Sequence, residues 1–207
     1  DAAGICTWDK EKMSLYKDVG VVTEVFKTNE SLNLKGNIGV GHVRYPTAGH
    51  DSVNEAQPFY SANPVNISLA HNGTLTNSEK IKEALLKTHF CQFNTRSDSE
   101  VLLNLFAYEL HKTNFRTLKE THVFSALKNV FKKCEGGYAV VTLIAGIGLV
   151  AFRDPSGIRP LVIGKQKSGY MVASESAALS ALNYALIRDV APGEAVIISE
   201  DGKVLKR

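Results

Sequence analysis

Tyr138-Ala139-Val140-Val141-Thr142-Leu143-Ile144-Ala145-Gly146-Ile147-Gly148-Leu149-Val150-Ala151-Phe152 is the longest apolar run of the chain, and how it is read decides the fold. Taken as one segment it falls short of the roughly 18 to 20 residues a membrane-spanning helix requires, and Gly146 and Gly148 interrupt it. Two buried strands, Tyr138–Ala145 and Leu149–Arg153, joined at the glycines account for it.

Upstream of this pair the apolar spacing is helical. Val123, Phe124, Leu127, Val130 and Phe131 form a stripe that stops before Gly136-Gly137, which cannot easily continue a helix. Ser97-Asp98-Ser99-Glu100 has the capping-box pattern, and Leu102, Leu103, Phe106 and Leu110 follow it on one helical face. Thr76-Asn77-Ser78-Glu79 repeats that pattern and predicts a helix over about residues 77 to 88. Before the helices, Gly4–Trp8, Ser14–Tyr16, a buried strand over Asn37–Tyr45 and Ile67–His71 read as strands, with a short helix around Thr23–Lys27.

Downstream, Leu161–Gly164 and Gly169–Ala173 read as strands, Ser174–Ala185 as a helix, and Ala195–Ser199 with Val204–Lys206 as a hairpin around Asp201-Gly202. Asp154-Pro155-Ser156-Gly157 has the composition of a tight turn. Strands, then three helices, then strands imply an α+β domain with an antiparallel or mixed sheet and helices on its faces.

The chain has 207 residues, 44% of them apolar, enough for one well-packed domain over residues 1–207. Its 24 basic and 21 acidic residues leave a formal charge of +3 with no block of one sign, which argues against nucleic acid as a partner. Cys6, Cys91 and Cys134 are far apart with no Cys-x-x-Cys pair, so neither a zinc site nor a disulfide framework is expected. An odd count without a secretory signal points to a reducing, cytoplasmic setting and no membrane partner.

Three polar tracts between these elements can carry chemistry. Arg44 ends the strand before the turn Tyr45-Pro46-Thr47-Ala48-Gly49, where a guanidinium can grip a carboxylate in two-point fashion, and Thr47 adds a hydroxyl. The plainer alternative is a surface ion pair. His71-Asn72-Gly73 ends a strand and offers an amide side chain beside a glycine N–H, two donors suited to an oxyanion, or else an ordinary Asn-Gly turn. Asp98 lies in the first turn of a helix, whose dipole favours an anion, so it can meet an ammonium or simply serve the helix end.

In this order the three tracts resemble the glutamine pocket of class II glutamine amidotransferases, and the chain resembles in particular the glutaminase domain of the amidophosphoribosyltransferase family. Asp1-Ala2-Ala3-Gly4 is similar to the end of that family's Arg-Gly-Gln-Asp-Ala-Ala-Gly motif. Asn54-Glu55-Ala56-Gln57-Pro58-Phe59, Arg153-Asp154-Pro155-Ser156-Gly157-Ile158-Arg159-Pro160-Leu161 and Ala173-Ser174-Glu175-Ser176 resemble later segments. The resemblance implies an Ntn-hydrolase αββα sandwich of two mostly antiparallel sheets. Arg44 and Asp98 would hold the α-carboxylate and α-amine of L-glutamine, with Thr47 assisting, and Asn72 with Gly73 would form the oxyanion hole.

The family's nucleophile is a cysteine at the start of the mature protein, whose free α-amine, with a pKa of roughly 7.7 to 8.0, can shuttle a proton where a peptide nitrogen cannot. The sequence opens instead on Asp1, and Cys6 is bonded into the chain, so the three cysteines are expected to be structural. The expectation is therefore a fragment, lacking the strand that bears the nucleophile and the phosphoribosyltransferase domain, that binds glutamine weakly and turns over none. In the whole enzyme ammonia would pass to that second domain of the same chain, giving 5-phosphoribosylamine in the first step of de novo purine synthesis. Mg2+ would serve the transferase half and some family members carry an iron–sulfur cluster, while these residues themselves supply no cofactor site. A homo-oligomer is expected for the full-length protein. The alternatives are a glutaminase domain feeding another acceptor and a non-catalytic glutamine-binding module.

Overall fold

The two strands of the apolar run are β6 (Gly136–Ile144) and β7 (Gly148–Arg153) of a computed structural model that describes residues 1–28, 33–45, 53–88, 91–167 and 169–207. They pair antiparallel, Ala139 opposite Arg153 and Ile144 opposite Gly148. β5 (Ile67–Leu75) and β4 (Phe59–Ser61) extend the sheet on one side, and β11 (Ala195–Ser199) with β12 (Val204–Lys206) on the other. The resulting order is β12-β11-β7-β6-β5-β4, with every pairing antiparallel.

Alternation along these strands gives the sheet two apolar faces. One receives three helices: α2 (Ser78–Leu86), α3 (Asp98–His111) and α4 (Glu120–Lys133). Leu102, Leu105, Phe106 and Leu110 of α3 are almost fully buried against Leu69, Val140 and Phe152, at about 1.5–3 kcal/mol for each side chain. Glu109 is buried on the α4 side, where its carboxylate accepts from Lys112, Asn129 and Lys133. That network ties α3 to α4 while satisfying a charge that would otherwise be costly to bury.

The other face is covered by two separate three-stranded sheets. One has β1 (Ala2–Trp8) between β2 (Met13–Val19) and β3 (Ile38–Arg44). The second has β8 (Val162–Gln166) between β10 (Ala185–Asp189) and β9 (Gly169–Ala173). Short helices α1 (Val22–Val25) and α5 (Ser176–Ala181) pack on these outer sheets, which completes the αββα layering. The expected two-sheet sandwich is present with its second sheet divided.

Several local expectations need correction. The strand read as buried over 37–45 alternates, with Val40 buried and Val43 exposed, because β3 pairs with β1 on one edge and has no described strand on its other. His71-Asn72-Gly73 lies inside β5 rather than at its end: Gly73 takes φ +142 and the strand runs on to Leu75, opposite Gly136. Thr76 does not begin a capping box. Asn77 is the N-cap of α2, and its side chain instead joins Lys133 C=O and Glu135 N–H across to the end of α4. The segment read as a helix over 174–185 stops at Ala181, and Asn183, at φ +58, turns the chain into β10, a strand the pattern did not reveal.

Candidate active site

The gap between the two outer sheets is a cleft of about 1300 Å3. Its walls are the free edges of β3 and β9, and its floor includes Val141 and Leu149 of the large sheet. These two floor residues are only partly buried and touch the apolar clusters under both outer sheets. Small-molecule pockets span roughly 300–1,000 Å3, so this cleft has room beyond a single amino acid.

Arg44, Asn72, Gly73 and Asp98 all line it. Thr47 lies outside the described residues. Glu55, Gln57, His71, Ser99 and Arg159 line the cleft as well, residues to which the sequence had assigned no role of their own.

β5 supplies the chemistry of one side through strand parity. His71 faces the helices, where its Nδ1 meets Ser99 Oγ at 3.0 Å, and Asn72 faces the cleft. In the plane of the sheet, residues 71, 73 and 75 direct their N–H and C=O groups away from β6. Tyr138, opposite Gly73, gives its N–H to Asp154 Oδ2 and takes Asp154 N–H on its C=O, leaving neither group for Gly73. His71 N–H donates to Gln57 Oε1 at 2.7 Å, and Leu75 N–H donates to Asp98 Oδ2 at 2.9 Å. Between them Gly73 N–H has no described partner, and neither has the exposed Asn72 amide. Two adjacent donors thus stand free at the cleft, the requirement for holding a developing oxyanion.

Gly73 is the residue this backbone allows. A Cβ there would lie 2.0 Å from Gly137 C=O, at a φ that side chains rarely adopt.

Asp98 opens α3. Ser97 is the N-cap, but its hydroxyl accepts from Ser99 N–H and not from Glu100 N–H as a capping box requires, and Glu100 does not reach back to Ser97. It turns to the preceding loop and accepts from Asn94 N–H, Thr95 N–H and Thr95 Oγ1. The start of the helix is thereby fixed, with one Asp98 oxygen on Leu75 and the other 3.9 Å from His71 Nδ1. The carboxylate keeps acceptor capacity for an ammonium in the cleft.

Arg44 arrives from the opposite wall and donates to Glu55 Oε2 at 2.9 Å. The ion pair considered from sequence exists, and it occupies one guanidinium nitrogen, leaving other donors for a carboxylate. His42, on the same face of β3, is held down to about 4 by burial, with the His71 and Arg44 charges adding to the effect. Burial likewise lowers His71, opposed by Asp98 and reinforced by Arg159. Both imidazoles are thus neutral near pH 7, and neither adds a positive charge beside Arg44.

None of the three cysteines lines the cleft. Burial raises the thiols of Cys6 and Cys91 and pushes Cys134 up to about 12, the reverse of what a nucleophile needs. No cluster of three or more His, Cys, Asp or Glu side chains that could hold a metal ion occurs among the described residues. No helix among them is long and apolar enough to cross a membrane.

An αββα sandwich of antiparallel sheets with this cleft in its second sheet layer is the architecture of the Ntn hydrolases. Within that class the chain belongs to the glutamine amidotransferase domain family, whose model matches residues 42–181. It is 51% identical over its full length to an amidophosphoribosyltransferase of Pseudomonas aeruginosa and 48% identical to one of Escherichia coli, covering 42% of each. It superimposes with a TM-score of 0.83 on the Bacillus subtilis glutamine phosphoribosylpyrophosphate amidotransferase, at 33% identity, covering all of this chain and 42% of that one. The chain therefore spans about two-fifths of the length of these relatives.

Proposed function

We propose that this chain is the glutamine-hydrolysing domain of an amidophosphoribosyltransferase. The observation that carries the reading is the row along β5, in which the Asn72 amide and Gly73 N–H stand free at the cleft two residues from a backbone N–H held by Asp98. Asp98 takes the α-ammonium of L-glutamine, Arg44 takes its α-carboxylate with Thr47 assisting, and the side-chain amide reaches Asn72 and Gly73.

The attacking group is a cysteine thiolate supplied by residues outside 1–207. Its strand occupies the remaining space between the β3 and β9 edges, where unpaired backbone groups line both walls. The thiolate adds to the amide carbon, the oxyanion forms against the two donors, and ammonia leaves with a proton delivered by that cysteine's α-amine. Water then hydrolyses the thioester to glutamate. Ammonia passes to a phosphoribosyltransferase domain of the same protein and displaces pyrophosphate from phosphoribosylpyrophosphate, giving 5-phosphoribosylamine for purine synthesis. Mg2+ belongs to that second domain, as would any iron–sulfur cluster. The whole enzyme is a cytoplasmic homo-oligomer that engages neither nucleic acid nor membrane.

Calorimetric titration of this chain with L-glutamine tests the site. Saturable binding that D-glutamine does not reproduce, with no glutamate formed on prolonged incubation, is the expected result. Absence of binding would overturn the reading of the pocket, and glutamate production by residues 1–207 alone would overturn the assignment of the nucleophile.

A further inference from the structure

We infer that Gln57 is a positioning residue for the oxyanion donors, a role that rests on the glutamine-hydrolysing reading above. β4 pairs with β5 in the register Phe59–Leu69, Tyr60–Ser68 and Ser61–Ile67. Carried two steps further, that register sets Gln57 opposite His71. The backbone ladder itself stops at Phe59, the first residue of β4. The Gln57 side chain takes its place: Oε1 accepts from His71 N–H at 2.7 Å and Nε2 donates to His71 C=O at 3.2 Å. One amide group thus acts as a one-residue strand.

This clamp is itself anchored. Gln57 is only 8% exposed, which shields both bonds from competing water. Lys17 Nζ donates to the neighbouring Ala56 C=O at 2.5 Å, and its ammonium sits over the Phe59 ring. β1 lies so near that a Cβ at Gly4 would fall 2.3 Å from Gln57 C=O. Position 57 is therefore gripped from two strands of the outer sheet and passes that constraint to β5.

Along β5 the free edge then reads as clamp, donor, clamp: His71 on Gln57, Gly73 open, Leu75 on Asp98. The oxyanion donors sit between two fixed points on this edge, and losing the Gln57 clamp leaves the edge away from β6 tethered at one end only. The other substrate contacts, Arg44 and Asp98, reach the site without passing through Gln57. The amide end of the ligand is thus selectively sensitive to this residue.

The test compares two ligands on this chain by calorimetry. L-glutamine and L-norvaline share the α-carboxylate and α-ammonium, but norvaline lacks the side-chain amide. The wild-type chain should prefer glutamine by about tenfold, the order of discrimination one hydrogen-bonded group provides. In Gln57→Ala that preference should vanish, glutamine falling to the norvaline level while norvaline changes less than about twofold. Gln57→Met, which fills the same space without either hydrogen bond, should behave in the same way, and its near-native circular dichroism and melting curve would show that the fold survives. Retained glutamine preference in a folded Gln57→Met chain would overturn the inference, as would equal weakening of both ligands. If the wild-type chain binds neither ligand, the glutamine reading itself fails, an outcome separate from either of these.

Discussion

On the β5–α3 side of the cleft the main chain around the free donors, and Asp98 itself, are fixed by named bonds, whereas on the β3 side Arg44 has one described ion pair and stands at the end of an edge strand. Around Asn72, Gly73 and Asp98 the bonds interlock: Gln57 to His71, His71 to Ser99, Ser99 to Ser97, and Asp98 to Leu75. Beside Arg44, Val43 is 66% and Tyr45 82% exposed. On the proposed reading, the contacts to the ammonium and to the amide are prepaid in folding, while the carboxylate contact can adjust as the ligand arrives. Rigid donors matter most where charge develops, which is the oxyanion and not the ground-state carboxylate.

The largest expected effect lies on the rigid side. Asp98→Ala removes the anion for the ammonium and the acceptor for Leu75 N–H, and a broken charge pair of this kind costs about 2–5 kcal/mol. Calorimetry should find glutamine affinity reduced at least about thirtyfold; a loss smaller than that seen for Glu55→Ala would reverse the comparison.

Acid should come next, and it reaches both sides through His42 and His71. Both folded imidazoles lie below the ordinary value, so as pH falls below about 6.5 the unfolded chain takes up protons first and stability drops. For His42 the decline continues until about pH 4, where its folded form also titrates, and its full extent is on the order of 3 kcal/mol. Urea unfolding between pH 7 and 4 should show this slope, flattened in His42→Gln. An unaltered slope in that variant would mean that the imidazole is not buried neutral.

Ser97→Ala should cost about 1 kcal/mol, the usual worth of an N-cap, visible as a lowered melting temperature. Smallest of all is Glu55→Ala. Its ion pair with Arg44 is partly open to solvent, so stability should change by less than about 1 kcal/mol in chemical denaturation. Glutamine affinity should move by less than about fivefold, in keeping with an adjustable contact.

Much of the fold was legible where periodicity and burial coincide. The Leu102, Leu103, Phe106, Leu110 stripe and the hairpin over 136–153 carry strong patterns because one face or both are buried. β4 and β10 were not legible. The first is only Phe59–Ser61, and the second is largely exposed, so neither has the alternation that burial imposes. Asn72-Gly73 carries the commonest hairpin signal, yet β6 pairs it with Ala139 and Tyr138, and the strand runs on where it was expected to end. The ligand-facing residues could be picked out by chemical type, but their supports could not. Gln57, Ser99 and Glu100 matter through neighbours brought from elsewhere in the chain, and Arg159 reaches the cleft from the connection between β7 of the large sheet and β8 of an outer one.

The close approach at Gly73 also has an evolutionary side. A Cβ there meets the Gly137 carbonyl oxygen at 2.0 Å, and one at Gly136 meets the Thr74 carbonyl oxygen at 2.2 Å. Neither position can drift by itself, because the obstacle in each case is main chain, which no side-chain substitution elsewhere can trim away. These two positions on neighbouring strands are thereby barred from ordinary neutral change, so descendants of this domain can alter its outer surface more readily than they can move the main chain around Gly73.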